Sequence, residues 1–165
     1  MRYSDGPGAE VEVQIDAAAA RVWELVSDID LPARFSEEFQ GAEWLDGVAG
    51  PTLGASFRGK NKHPAIGEWE TTCVVTACEP QAAFAWVIGD PDHPSAAWRF
   101  DLSSSDDGTR LRYSCVFGPG PSGLSAAIER MPDKEERIIE RRLQEHRANM
   151  QRVLDGIKEL AEAGG

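Results

Sequence analysis

The sequence predicts an α+β fold in which a curved antiparallel sheet of seven strands wraps around one long C-terminal helix, with two short helices between strands one and two. Three observations carry this expectation. Successive segments keep their large apolar side chains on one phase of a period-2 pattern, as in Trp69, Cys73 and Val75, then Phe84, Trp86 and Ile88. Trp98, Phe100 and Leu102, and then Leu111, Tyr113, Cys115 and Phe117, repeat it. Such alternation marks strands with one buried and one wet face. After the last strand, Ile139, Leu143, His146, Met150, Val153, Ile157 and Leu160 fall on an alternating three-and-four spacing, the stripe of an amphipathic helix. That helix is the only element long enough to cover the apolar face of the sheet.

The elements follow in order. Residues 1–9 are polar, contain Gly and Pro, and read as a flexible lead, leaving one domain over 10–163. Val11–Ile15 alternates and is the first strand. Asp16 suits the N-cap of a helix over Ala17–Ser27, with Val22, Val26 and Ile29 on one face. Leu31–Phe35 is a short second helix or turn, with Pro32 in its first turn. Strands are expected at Gly41–Leu45, Ala55–Asn61, Gly67–Cys78, Ala83–Gly89, Ala96–Ser103 and Thr109–Phe117. Asp46-Gly47, His63-Pro64, Glu79-Pro80, Asp90–Pro94 and Ser104–Gly108 separate them with turn residues. Gly118–Gly123 breaks the chain, Leu124–Arg130 has room for two helical turns, and Pro132 either kinks one helix or separates two. The main helix is expected from Asp133 to Ala163, with Arg141, Glu145, Arg152, Asp155 and Glu159 on its charged face.

Composition narrows the function classes. A chain of 165 residues buries about 70% of its unfolded surface and needs neither disulfide nor metal to fold. A net charge of −11 argues against nucleic acid and anionic membrane as partners. No apolar run reaches membrane-spanning length, and no signal core is present. Cys73, Cys78 and Cys115 lack metal spacing, and Cys73 and Cys78 are expected on opposite faces of one strand. They read as reduced thiols of a cytoplasmic protein. His63, His93 and His146 lie far apart without metal-ligand spacing, and no nucleotide, phosphate or cofactor motif occurs. Neither a metal nor a cofactor is therefore expected.

Several segments resemble the START-like (SRPBCC, helix-grip) superfamily, and within it the bacterial polyketide cyclase/dehydrase-like group. They are Val22–Asp28, Gly54–Asn61, Trp69–Val75, Glu79-Pro80 before Phe84–Trp86, and Gly108–Leu111. The resemblance spans about residues 10 to 160. It implies the helix-grip fold, and a ligand cavity between sheet and helix. Periodicity by itself favours a filled core for the same residues.

The inward phase offers Phe57, Trp69, Cys73, Trp86, Trp98, Phe100, Leu111 and Phe117, joined by Met150 of the helix and Phe35. This lining suits an aromatic or lipid-like molecule. Asn61, Thr71, Tyr113 and His146 are the polar inward residues. A buried polar group without a partner costs about 1–3 kcal/mol, so each must bond to protein, water or ligand. His146, on the apolar stripe, is either a satisfied core histidine or a handle or acid/base for a ligand; Tyr113 has the same two readings. Aromatase/cyclase relatives place an arginine and a tyrosine in the pocket, whereas Arg58, Arg99, Arg110 and Arg112 fall on the outward phase here, as do Glu68, Glu70 and Asp101. Three functions stay open: a binder of a small hydrophobic ligand, a cyclase/dehydrase-type enzyme using His146 and Tyr113, and an interaction module, such as a homodimer, with a collapsed hollow.

Overall fold

A computed structural model describes residues 1–164. Its strands are β1 (Gly8–Ile15), β2 (Phe39–Trp44), β3 (Ser56–His63), β4 (Gly67–Glu79), β5 (Ala83–Ile88), β6 (Ala96–Ser105) and β7 (Gly108–Phe117). They form one antiparallel sheet in the order β1-β7-β6-β5-β4-β3-β2. From β2 onward each strand pairs with the next, whereas β1 pairs with β7 at the far edge. Helix α1 (Ala19–Val26) and a 3-10 turn at Leu31–Arg34 carry the chain between the two edges. After β7 come α2 (Gly123–Arg130) and the long α3 (Glu135–Ala163). This is the helix-grip architecture expected from the alternating strands and the terminal stripe.

The one-sided burial is visible along β7. Thr109, Leu111, Tyr113, Cys115 and Phe117 are buried, while Arg110, Arg112 and Val116 between them are exposed. On the outer face Arg58 pairs with Glu43 and Glu70, Arg99 and Arg112 with Asp101, and Arg110 with Glu12. The inward residues of the sheet meet Ile139, Leu143, Met150, Val153, Leu154 and Ile157 of α3.

The structure corrects the cap of α1, the start of α3 and the face of Cys78, and it bears out the short turn at Pro32 and decides between the two roles of Pro132. Asp16 does not cap α1: the helix starts at Ala19 with Ala18 at the cap and no side-chain cap bond, and the Asp16 backbone N–H donates to Glu162 at 2.8 Å. Pro32 stands in the first turn of a short 3-10 helix, as expected. Pro132 separates two helices, because the residue before a proline is driven out of the helical region; Met131 has φ −138° and ψ 64°, and α3 starts at Glu135 rather than Asp133. Cys78 does not oppose Cys73: a bulge between Val75 and Ala77 adds one residue, so Cys78 lies opposite the inward Phe84.

At the N-terminus, pairing starts at Gly8, two residues before the expected boundary, and the Tyr3 hydroxyl donates to the Gly120 carbonyl at 2.6 Å.

Candidate functional site

The concave face of the sheet and α3 do not close on each other completely. Between them lies a hollow of about 810 Å³, within the size range of small-molecule sites. Its wall combines β3 to β7 with the Met150 side of α3, and residues of α2 and of the Pro32–Phe39 segment border it. Phe57, Asn61, Trp69, Thr71, Cys73, Trp86, Trp98, Phe100, Tyr113, His146 and Met150 all line it. Phe35 does not. Its ring lies against Gly156 of α3, where a Cβ would come within 2.5 Å of it, so Phe35 wedges the turn onto the helix. Leu111 is likewise inward but fully buried in the core.

Flat rings dominate the wall because adjacent antiparallel strands bring same-face residues side by side. Trp86 stacks on Trp98 across β5 and β6 at 6.5 Å with 8° between planes, and Phe100 stacks on Tyr113 across β6 and β7 at 4.0 Å and 12°. No bulge occurs at Gly59, so Phe57 and Asn61 share the inward phase with Trp69 and Cys73 opposite them. The Cys73 thiol is pushed up to about 11 by burial. It is therefore a packing group rather than a thiolate.

Two polar side chains stand out on this wall. His146 is 9% exposed, with its ring edge-on to Trp98 at 5.2 Å and tilted against Phe117 at 5.4 Å. Burial, and then the Arg142 charge, lower its pKa to about 4, so the imidazole is neutral at neutral pH. Burial pushes the Tyr113 hydroxyl far above the usual phenol range. Among the described residues, neither group has a hydrogen-bond partner. Nor is either sealed off: the fully enclosed side-chain polar atom without a partner is Arg21 Nε. Both groups therefore open onto the hollow.

A charged network at the border of the hollow escaped the sequence analysis. Arg142 grips both carboxylate oxygens of Glu38 at 2.7 Å and reaches Glu145 at 3.4 Å. Glu145 in turn meets His63 Nε2 at 2.5 Å. Glu145 is thus a member of a half-buried cluster, not only of the solvated face. The available signal was the position of Arg142, four residues before His146 and so on the same side of α3. Glu38, in contrast, comes from an irregular segment with no period to read. The outward expectation holds for the strand arginines, while the helix supplies an arginine to the wall.

Glu38, His63 and Glu145 place one ligating atom each within 4.8 Å of one another, a grouping hidden by their separation in sequence. Their hydrogen bonds fit an ion-pair network better than a metal centre. The Ala65 N–H donates to His63 Nδ1 at 3.0 Å, so Nε2 carries the ring proton toward Glu145. Ligation through Nε2 would move that proton onto Nδ1, against the Ala65 donor.

The family described as polyketide cyclase / dehydrase and lipid transport matches this chain over residues 8–162. No curated protein matches it. Among solved structures, the Polyketide_cyc-like protein Cgl2372 from Corynebacterium glutamicum is 29% identical, with a TM-score of 0.67 over 95% of this chain and 92% of that one. The di-domain ARO/CYC proteins BexL, of the BE-7585A biosynthetic pathway, and StfQ, of the steffimycin pathway, are 18% and 17% identical with TM-scores of 0.70 and 0.71. They share the fold. This chain covers 94% and 96% of its own length in those matches but only 50% and 52% of theirs, about half of each. No helix among the described residues is long and apolar enough to cross a membrane.

Proposed function

The chain belongs to the polyketide cyclase / dehydrase and lipid transport family, and from that premise we propose that it binds a small hydrophobic or aromatic, lipid- or polyketide-like molecule between sheet and terminal helix. The observation that carries this reading is the pair of polar groups without a protein partner, His146 and Tyr113, that face the hollow on an otherwise aromatic wall. Their hydrogen-bonding capacity is left for a molecule in the hollow to use. A ligand oxygen at the right place satisfies both: Tyr113 donates, and the neutral imidazole donates through one nitrogen or accepts through the other. Stacked rings supply the apolar contact, and Asn61 and Thr71 add orientation at the β3–β4 side.

A cyclase/dehydrase-type reaction is the second reading, favoured by the free Tyr113 hydroxyl, which can donate to a developing enolate oxygen. The low basicity of His146 weighs against it as the general base, since proton transfer works best with a pKa near the working pH. Orientation of a ligand is the role its environment supports. The open volume speaks against a collapsed interaction module.

Native mass spectrometry of the purified protein tests the proposal, together with titration of tryptophan fluorescence by apolar aromatic compounds. The expected result is a co-purifying mass or saturable quenching without turnover. A protein that carries no ligand and shows no quenching across such compounds refutes binding. Turnover that is lost in Tyr113→Phe establishes the enzymatic reading instead.

A further inference from the structure

The hollow has a charge character as well as an apolar one. Of the acidic and basic side chains that border it, Asp28 and Arg130 sit exposed at the rim, and Glu38, Arg142 and His146 are drawn into the wall. Arg142 and Glu38 are 16% and 13% exposed at their side chains. A guanidinium in such a place would ordinarily recruit the carboxylate of a ligand, by two parallel hydrogen bonds. Here that edge is already taken by Glu38, with Glu145 on the same nitrogen. One guanidinium thus faces two carboxylates, and His63 Nε2 lies against Glu145 rather than toward the hollow's open donors. The His146 imidazole is neutral. An anionic ligand would find no uncompensated cation inside. It would also lose its hydration and meet the field of Glu38 and Glu145. At the rim, Arg130 is solvent-exposed, where an ion pair contributes little. An uncharged carbonyl, amide or phenol carries no such penalty, and finds the donors of Tyr113 and His146.

We propose that Glu38 makes the hollow selective for uncharged ligands by neutralising Arg142, the cation drawn into its wall. This inference rests on the binding reading above. Glu38 acts through Arg142 and is a positioning residue. Its absence would leave a half-buried guanidinium with spare donors, and so convert the same hollow to one that accepts carboxylates.

The experiment compares two probes of equal shape, 2-naphthamide and 2-naphthoate, by calorimetric titration at pH 7 against the full chain and Glu38→Gln, with circular dichroism as the check on folding. The wild-type protein is expected to bind the amide at least tenfold more tightly than the carboxylate. In Glu38→Gln the carboxylate-to-amide affinity ratio is expected to rise at least tenfold, a change in selectivity that loss of structure would not produce. A wild-type protein that binds the carboxylate as tightly as the amide overturns the inference and leaves the binding reading standing. So does a selectivity ratio unmoved by Glu38→Gln. Failure to bind either probe overturns the aromatic-ligand reading and the inference with it. Should Glu38→Gln not fold, the wild-type comparison decides the matter by itself.

Discussion

Tyr113 and His146 share a wall, yet burial acts on them differently. The Tyr113 hydroxyl makes no hydrogen bond to the protein and faces the hollow, so it contributes little to the unliganded fold. Tyr113→Phe removes the hydroxyl without breaking a protein hydrogen bond and keeps the ring stacked on Phe100. The expected outcome is unfolding stability unchanged or raised by up to about 1 kcal/mol, read by urea denaturation. The same variant should lose about tenfold in affinity for a ligand that presents an oxygen acceptor, and little for a pure hydrocarbon. His146 adds a pH dependence whose sign is set by its lowered pKa. Its ordinary value is 6.5 and its folded value about 4. Above pH 6.5 the ring is neutral in both states and its stabilising contribution is complete. As pH falls below 6.5 the unfolded chain takes up the proton and the folded chain does not, so stability declines until about pH 4. Between pH 7 and pH 5 this amounts to about 2 kcal/mol. His146→Gln should flatten that part of the urea-stability profile, and an unchanged slope would show that the ring is solvated after all.

At the scale of elements, the long helix is held to the rest of the molecule by shape at one point as much as by its apolar stripe. Gly156 lies under the Phe35 ring, and an added Cβ would meet the root of that ring, Cγ included, at 2.5 Å. In an exposed helix Gly→Ala stabilises by about 1 kcal/mol. Here overpacking wins, and Gly156→Ala is expected to destabilise by about 1–3 kcal/mol, visible as a lowered melting temperature; a raised one would mean that the turn moves aside freely. The same contact shows where reading the sequence reached its limit. The strands of β4 to β7 and the stripe of α3 were legible because their periods, 2 and 3.6, are written directly in the spacing of Trp, Phe, Leu and Ile. Phe35 was not legible, since an irregular turn has no period and its aromatic can face cavity or helix. Cys78 was misplaced because a bulge changes phase without a marker residue. Which aromatic residues of the strands face inward could be read from alternation, whereas an open space beside them was implied only by the family resemblance. Glu38, His63 and Glu145 could not, because their meeting with Arg142 depends on where a loop, a hairpin end and a helix come together in space.

On the scale of the whole molecule, the sheet and the helix border a space that the protein's own side chains do not fill. A hollow of about 810 Å³ lined by buried rings forfeits dispersion contacts that a solid core would make. The fold tolerates this because the rest of the core is tightly closed, with Ile15, Leu111, Ile139, Leu154 and Ile157 without solvent exposure. Those residues lie away from the hollow, on the side where α3 packs against β1. The molecule thus has a closed half, where the core is filled, and an open half beside the hollow. On the proposed function, a ligand in the open half would supply the missing contacts and stabilise the native state alone, by mass action. A ligand at one hundred times its dissociation constant contributes about 2.7 kcal/mol, which for a chain of this size corresponds to a rise in melting temperature of about 5–11 °C. Differential scanning fluorimetry with 2-naphthamide should show that rise, growing with the logarithm of ligand concentration. A polar compound of equal size, such as a monosaccharide, should leave the melting temperature where it is. Equal shifts from both would mean that stabilisation comes from general solvent effects and that the hollow selects nothing.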